Sequence, residues 1–457
     1  MLILLFACNS RTSSTSETIK IADSAIEIPI DWDRGNPKLL PQEKSIRGIV
    51  HLHSHYSHDA CDGNPQPDGI PDENCLEDLR EALCEVRIDA AFLSDHPTHS
   101  TEVTSFDDLY LHREGDDWLW EGNEHIANQI NCENGHKVWI FPGVESADMM
   151  PLGLRKHIDG EYNGSTEAVD AVLEQQAINW IAHTEQVSVE TILLQSIEGI
   201  EIYQLHANLD PDIRREYLGV DPFGYVSFIS PFFFPTSDMS DVPESDLAFL
   251  TFVLPNEPAI RVLEEAGMQK ALGISAGTDA HQNVFPNLAP DGERIDSYRR
   301  MMKWFNTRIV VDENASPLDV HNALKQRKSW VVMEVFGTPK NFSMELHTET
   351  KTLPMGSELS LEVGMILQTS IPTLTDTSPQ GDIHPNFEGR LYHYNGEQRN
   401  LVHTWNEGEL NWKIEMTGIY RVEIWIQPLH LQPYLGAYQE YAENWVPWIY
   451  TGAFFIR

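Results

Sequence analysis

The chain has 457 residues, 41% of them hydrophobic, which is enough to bury a large core and too long for one ordinary domain, so two domains are expected. Its 31 Lys and Arg face 70 Asp and Glu, a formal charge of −39 at pH 7, and a field of that sign repels phosphate backbones. Polymeric nucleic acid is thereby set aside as a partner, whereas a small phosphorylated molecule is not, because bound metal cations reverse the potential locally.

The chain opens with a short apolar run that ends in a small residue and Cys8. This is similar to a bacterial lipoprotein signal over residues 1–8, with Cys8 as the lipidated position, and a buried strand or a plain leader with an accidental Cys is the competing reading. Residues 9–46 then read as tether and lead-in, Ser- and Thr-rich at first. The implied place is the bacterial cell envelope, lipid-anchored and extracytoplasmic, either periplasmic or at the surface. Cys61, Cys75, Cys84 and Cys132 remain, an even number that suits two disulfides in an oxidising compartment. Three pairings are open, and free buried thiols are the alternative. No later stretch is long and apolar enough to span a bilayer.

From residue 48 onward, short β-branched or aromatic runs alternate with helical patterns, as expected of βα units on a parallel sheet. Seven strands are expected, at 48–53, 90–95, 138–145, 179–183, 199–204, 272–279 and 330–336. Leu76, Leu79, Leu83 and Val86 recur at helical spacing and predict a helix over 76–87. Two more helices are expected over 297–307 and 317–326. The loop 62–75 is rich in oxygen ligands but lacks EF-hand spacing, and reads as a Pro/Gly loop closed by a disulfide. Residues 206–267 are too long for a βα connection and carry an aromatic run over 223–234, so they read as an insertion packed over the barrel mouth, with a lid or membrane contact as the alternative. After residue 338 the pattern changes to strands at 341–347, 358–367, 389–394, 412–416 and 420–426, with one helix-length segment at 439–445, which suggests an all-β sandwich over 339–457.

The chemistry is concentrated where these strands end. His51-Leu-His53 closes the first strand, and alternate residues share a face, so the two imidazoles converge. Asp95-His96, Glu145, His183 and Asp279-Ala-His281 close others. Each run is apolar or small until its last residues, and the C-terminal ends of barrel strands meet in one place. One such histidine is ordinarily only a hydrogen-bonded residue. Five ionisable strand ends gathered together are costly unless metal compensates them.

These runs resemble the polymerase-and-histidinol-phosphatase (PHP) family of metal-dependent hydrolases over about residues 47–336. The resemblance implies an α/β fold, a distorted, TIM-like, seven-stranded βα barrel over 47–338 followed by the sandwich, with up to three metals. Carried over by position, the metal ligands are His51, His53, Asp59, His96, Glu145, His157, His183, Asp279 and His281, with catalytic roles at Asp59, His96 and Asp279. Arg155 or Lys156 is the candidate contact to a substrate phosphate. Imidazole and carboxylate ligands without thiolate suit two or three divalent ions of Zn, Mn or Fe. Two such ions would bridge a hydroxide for in-line attack on a phosphoryl group. The expected function is a phosphoesterase or phosphatase acting on a small phosphorylated molecule. The alternatives are C–N or C–O bond hydrolysis by the same cluster, and a metal-stabilised, non-catalytic surface binding protein.

Overall fold

The computed structural model describes residues 45–100, 103, 105–158, 161–233, 242–375 and 383–457. Cys8, the 1–8 signal and almost all of the 9–46 tether lie outside the described residues, as does Phe234 at the end of the aromatic run.

The protein is a mixed α/β structure with large sheets. Eleven strands precede residue 338: β1 Ser45–Leu52, β2 Ala90–Phe92, β3 Asp117–Glu121, β4 Glu124–Asn131, β5 Lys137–Phe141, β6 Met150–Leu152, β7 Ile178–Ile181, β8 Gly199–Gln204, β9 Gly273–Ala280, β10 Asn306–Val310 and β11 Ser329–Val332. Six of them pair in parallel in the order β5-β2-β1-β9-β8-β7. All six strands therefore end at one edge, which is what gathers the site. The expected run of seven like strands needs correcting in detail. β6 lies antiparallel to β7 and meets the segment after β5 through the Gly143–Leu152 bridge. β11 reaches these strands through β10, which is antiparallel both to β11 and to the first half of β1. A hairpin of β3 and β4, unexpected from the sequence, lines the outer side of β5.

The helices that pack on these strands are α1 Glu73–Glu85, α2 Thr166–Glu174, α3 Val189–Leu194, α4 Glu257–Gly267, α5 Tyr298–Lys303 and α6 Pro317–Lys325; a further helix, Val226–Phe233, takes up most of the aromatic run, and shorter turns lie between them. Helix α1 starts earlier than its apolar spacing suggests because the Asp72 carboxylate caps the amides of Asn74 and Cys75. The 297–307 helix is overturned in its second half. Helix α5 stops at Lys303, and Thr307, Ile309 and Val310 are β-branched residues that belong to β10. Helix α4, within the stretch read as an insertion, is the connection between the parallel strands β8 and β9.

The core beneath the strands is made by Val50, Phe92, Phe141, Ile178, Trp180, Ile309 and Leu324, all buried. Trp180 is fully enclosed, and its indole N–H donates to the Ser275 hydroxyl at 2.9 Å. Gly199 and Gly273 give it room, since a Cβ at either would lie 2.1 or 2.7 Å from the indole. The six-membered ring of one side chain thus fixes which residues two neighbouring strands carry.

Past residue 338 come β12 Thr338–Lys340, β13 Met344–His347, β14 Thr352–Pro354, β15 Glu358–Leu359, β16 Ile366–Ser370, β17 Thr373–Thr375, β18 Asn386–Tyr394, β19 Arg399–Trp405, β20 Glu409–Lys413, β21 Gly418–Gln427, β22 Val446–Thr451 and β23 Phe454–Ile456. One sheet is β14-β13-β16-β20, all antiparallel. β12 and β17 form a separate antiparallel pair, and the remaining strands extend the large sheet, because β22 pairs with β11 and β21. Main-chain hydrogen bonds therefore cross the boundary expected near residue 338. The 439–445 helix is instead a 3₁₀ segment, Gly436–Glu443, that leads into β22. Two disulfides join Cys61 to Cys75 and Cys84 to Cys132, with Cα separations of 5.9 and 5.6 Å. The first closes the 62–75 loop.

Candidate metal centre

The strand ends bring ionisable groups into one buried cluster. His51 and His53 lie where β1 ends, and Glu145 follows β5. His183 follows β7, while Asp279 and His281 lie at the end of β9. Their ligand atoms fall into three overlapping groups: His51, His53, Glu145 and Asp279; His53, His96 and His281; and His183, His206 and Asp279.

The first group has the geometry of a cation site. His51 Nε2 is 3.0 Å from Glu145 Oε2 and 3.2 Å from Asp279 Oδ1, and His53 Nε2 is 3.2 and 3.3 Å from the same two oxygens. A tetrahedral ion with ligands at about 2.0–2.1 Å holds them about 3.3–3.4 Å apart, so these separations already resemble coordination edges.

The imidazoles are oriented for the same end. Four of them present Nε2 inward because Nδ1 is engaged elsewhere. His51 Nδ1 donates to Glu201 Oε1 at 2.7 Å and His53 Nδ1 to Ser57 Oγ at 3.0 Å. His96 Nδ1 reaches the Glu145 carbonyl at 3.3 Å, and His281 Nδ1 reaches the Asp279 carbonyl at 2.8 Å. Partners of this kind fix the tautomer of metal-binding histidines. Ser57 also donates to Asp59 Oδ1 at 3.2 Å and receives the His96 amide at 3.1 Å, tying three candidate ligands to one hydroxyl. Asp59 completes the open side, 3.4 Å from His281 Nε2 and 3.6 Å from His96 Nε2. The His281 Nε2 atom is buried without a hydrogen bond.

His51, His183 and Asp279 have φ of +73°, +47° and +50°. Non-glycine residues in this left-handed region carry strain of order 1–3 kcal/mol each, and such strain concentrates at functional sites. The Thr278 hydroxyl holds the His51 carbonyl at 2.6 Å, which helps to secure one of these conformations.

Charge compensation separates this cluster from an ordinary salt-bridge network. Among the described residues, every ion-pair partner of Asp59, Glu145, Glu201 and Asp279 is a histidine. None is Lys or Arg. Burial would raise Glu145 and Asp279, but the imidazoles around them, His51 foremost, hold both well below the usual carboxylate range. Burial opposes charge on His51, yet Glu145, Glu201 and Asp279 outweigh it and hold its pKa well above the ordinary value. His53, buried and beside His281, is lowered to about 4, which leaves it neutral. The donor set therefore fits divalent cations: it gathers carboxylates and imidazoles, which become neutral nitrogen donors by giving up a proton, in a largely buried site, and among the described residues it has no Lys or Arg to supply permanent positive charge. The group Asp246, Asp291 and Glu293 does not pass this test, because Arg299, Arg300 and Lys303 already neutralise it.

Of the residues expected from sequence, His51, His53, Asp59, His96, Glu145, His183, Asp279 and His281 come together. His157 does not join any of the three groups; it packs edge-on against Phe106 at 5.0 Å, with both ring nitrogens buried and without a hydrogen bond. Arg155 is paired with Glu121 at 2.5 Å and Glu124 at 3.1 Å, around the β3–β4 turn, and Lys156 is exposed. His206 and Glu201 were not expected. His206 Nδ1 lies 3.0 Å from Asp279 Oδ2, and its ring meets that of His183 edge-on. It closes β8 as the other ligands close theirs, and that signal was available in Tyr203-Gln-Leu-His206.

No protein-family model and no curated protein matches this chain. Among solved structures it is similar to PsfC from Pseudomonas syringae PB-5123, at 14% identity and a TM-score of 0.34 over 62% of this chain and 88% of that one. It is also similar to a two-domain protein from Bacteroides vulgatus ATCC 8482 described as containing a "predicted PHP-like metal-dependent phosphoesterase", at 12% identity and a TM-score of 0.37 over 90% of this chain and 95% of that one. At such distance neither likeness bears on activity.

Proposed function

We propose that this chain is a metal-dependent hydrolase of the PHP type, with a barrel built on the six parallel strands, acting as a phosphoesterase or phosphatase on a small phosphorylated molecule. The observation that carries the reading is the cluster of carboxylates whose every ion-pair partner, among the described residues, is an imidazole. Two or three bound divalent ions of Zn, Mn or Fe would neutralise it, activate water and polarise a phosphoryl oxygen. His51, His53, Glu145 and Asp279 would hold the innermost ion. Asp59, His96 and His281 would hold a second, and His183, His206 and Asp279 a third. The side chains of His206, Asp59 and His96 are 48%, 36% and 25% exposed, and they mark the face from which substrate enters. The surface is acidic overall, so an anionic substrate depends on the bound ions for its affinity.

The test of reaction class is inhibition. Inorganic phosphate and vanadate should compete with substrate, because vanadate resembles the five-coordinate transition state of phosphoryl transfer. Turnover of amides but not phosphoesters, without vanadate inhibition, would overturn the phosphoesterase reading and leave a C–N hydrolase on the same ligands.

We also place the protein outside the cytoplasm, a reading supported by its two disulfides. A thiol titration of the native protein should find Cys61, Cys75, Cys84 and Cys132 unreactive, and Cys8→Ser should release it from membranes. Four reactive thiols would contradict the compartment.

A further inference from the structure

Glu201 is a buried carboxylate within a strand, not at its end, and it belongs to none of the groups able to hold an ion. Both of its oxygens are engaged. Oε1 receives His51 Nδ1 at 2.7 Å, and Oε2 receives the main-chain amide of His183 at 3.0 Å. Its own amide donates to the Thr184 hydroxyl at 3.1 Å. The pairing of β8 with β9 slips between Glu201 and Tyr203, and an irregularity of this kind re-aims a side chain next to a site. The neighbouring strand is shaped to receive the result: a Cβ on Gly277 would lie 2.2 Å from Glu201 Oε1 and 2.6 Å from its Cδ. Gly277 leaves the space that the carboxylate fills.

Glu201 also differs in kind from the groups holding the other inward-facing imidazoles. His53 is held by a hydroxyl, and His96 and His281 by carbonyls. Only His51, among these four, has a carboxylate as the hydrogen-bond partner of Nδ1; the carboxylates near His281 Nδ1 (Asp279, 3.3 Å) and His96 Nδ1 (Glu145, 3.8 Å) are themselves candidate ligands, and Glu201 is not. A carboxylate on Nδ1 fixes the ring and makes Nε2 a stronger donor, and the loss of such a partner typically costs 10–100-fold in metal affinity.

We infer that Glu201, seated against Gly277, is a positioning residue for the metal centre: through Nδ1 it aims and strengthens His51 as a ligand, and through the His183 amide it anchors the left-handed turn that presents a second one. The inference rests on the metal-centre reading above. The experiment is a Zn²⁺ titration of the full chain, stripped of metal, against a competing chromophoric chelator, together with thermal unfolding of the metal-free protein.

Glu201→Gln keeps the shape but removes the charge, so a packing role would be rescued by it. The expected result is a tightest-site affinity at least about tenfold weaker than wild type, with the metal-free unfolding midpoint unchanged. Gly277→Ala leaves the carboxylate present but displaced, and should weaken affinity in the same direction. Combined with Glu201→Ala it should add nothing further, because the two changes act on one contact. If Glu201→Ala does not fold, the Gln and Gly277→Ala variants carry the test. Wild-type affinity in Glu201→Gln, within about twofold, overturns the inference and leaves the metal centre standing. Failure of the wild-type chain to bind Zn²⁺ removes the metal-centre reading and this inference with it.

Discussion

The molecule buries carboxylates in two kinds of place and compensates them differently. Glu334 lies between Arg47, at 2.8 Å, and Arg308. Asp246 is surrounded by Arg299, Arg300 and Lys303, and Glu264 and Glu423 share Arg421. In these places the chain supplies permanent cations. At the strand ends Glu145 and Asp279 are also buried, and among the described residues their ion-pair partners are all imidazoles. An imidazole becomes a neutral metal ligand by giving up its proton, which a guanidinium does not do under ordinary conditions. The contrast teaches how to separate a structural carboxylate from a ligand: by what faces it, since burial is common to both.

The largest effect expected is in the arginine-clamped region. Glu334→Ala removes the buried carboxylate that Arg47 and Arg308 share, and breaking a buried pair in this way costs about 3–5 kcal/mol. Urea unfolding of the metal-free protein checks it, and a loss under about 1 kcal/mol would erase the contrast from that side.

At the strand ends the stabilisation should come from outside the chain. Zn²⁺ at about one hundred times its dissociation constant should raise the unfolding free energy by about 2.7 kcal/mol. Asp279→Asn should lose most of that increment, whereas Glu334→Ala should keep it despite its lower baseline.

Acid separates the regions further. Burial would raise Glu334, but Arg47 and Arg308 hold it below its ordinary 4.5. A carboxyl depressed in the folded state contributes stability above its unfolded value, and that contribution is lost as pH falls through the depressed one. Unfolding free energy should therefore decline as pH drops below about 4.5, and Glu334→Gln should flatten the decline. An unchanged slope would mean that other carboxyls dominate it.

The smallest effect belongs to Arg155. Its partners Glu121 and Glu124 are 39% and 64% exposed, and pairs of this type contribute about 0.2–1 kcal/mol. Arg155→Ala should change stability by no more than that and leave kcat/KM for phosphoesters unaltered. A large rise in KM would restore Arg155 as a substrate contact.

Much of the centre was legible because a strand ending in His, Asp or Glu is a local pattern, and the fold lines up those ends. His206 ends its strand in the same way, but it opens the long stretch 206–267, whose length and aromatic run read as one insertion and hide that ending. Glu201 could not be found by that rule. It sits inside a strand, and its partner lies 150 positions away in sequence. His157 shows the converse error: position after the Glu145 strand suggested a ligand, but nothing around it in sequence distinguishes a ligand from the buried ring that packs on Phe106. The β3–β4 hairpin did leave a signal. Gly122 and Asn123 form its two-residue turn, with Gly122 at φ +62°, a pairing of residues that favours tight hairpins. Strand β10 was hidden by Tyr298, Met301, Met302 and Phe305, whose spacing continues a helix past the point where Trp304 ends it.

The central claim is that imidazole-faced carboxylates mark a metal centre and arginine-faced ones do not. The direct measurement is elemental analysis of the metal-replete chain beside Asp279→Ala, His53→Ala and Asp246→Asn. Two or three transition-metal ions per wild-type chain are expected, at least one fewer in each of the first two variants, and the wild-type number in Asp246→Asn. Less than about one ion in the wild type, or a loss confined to Asp246→Asn, would contradict that claim.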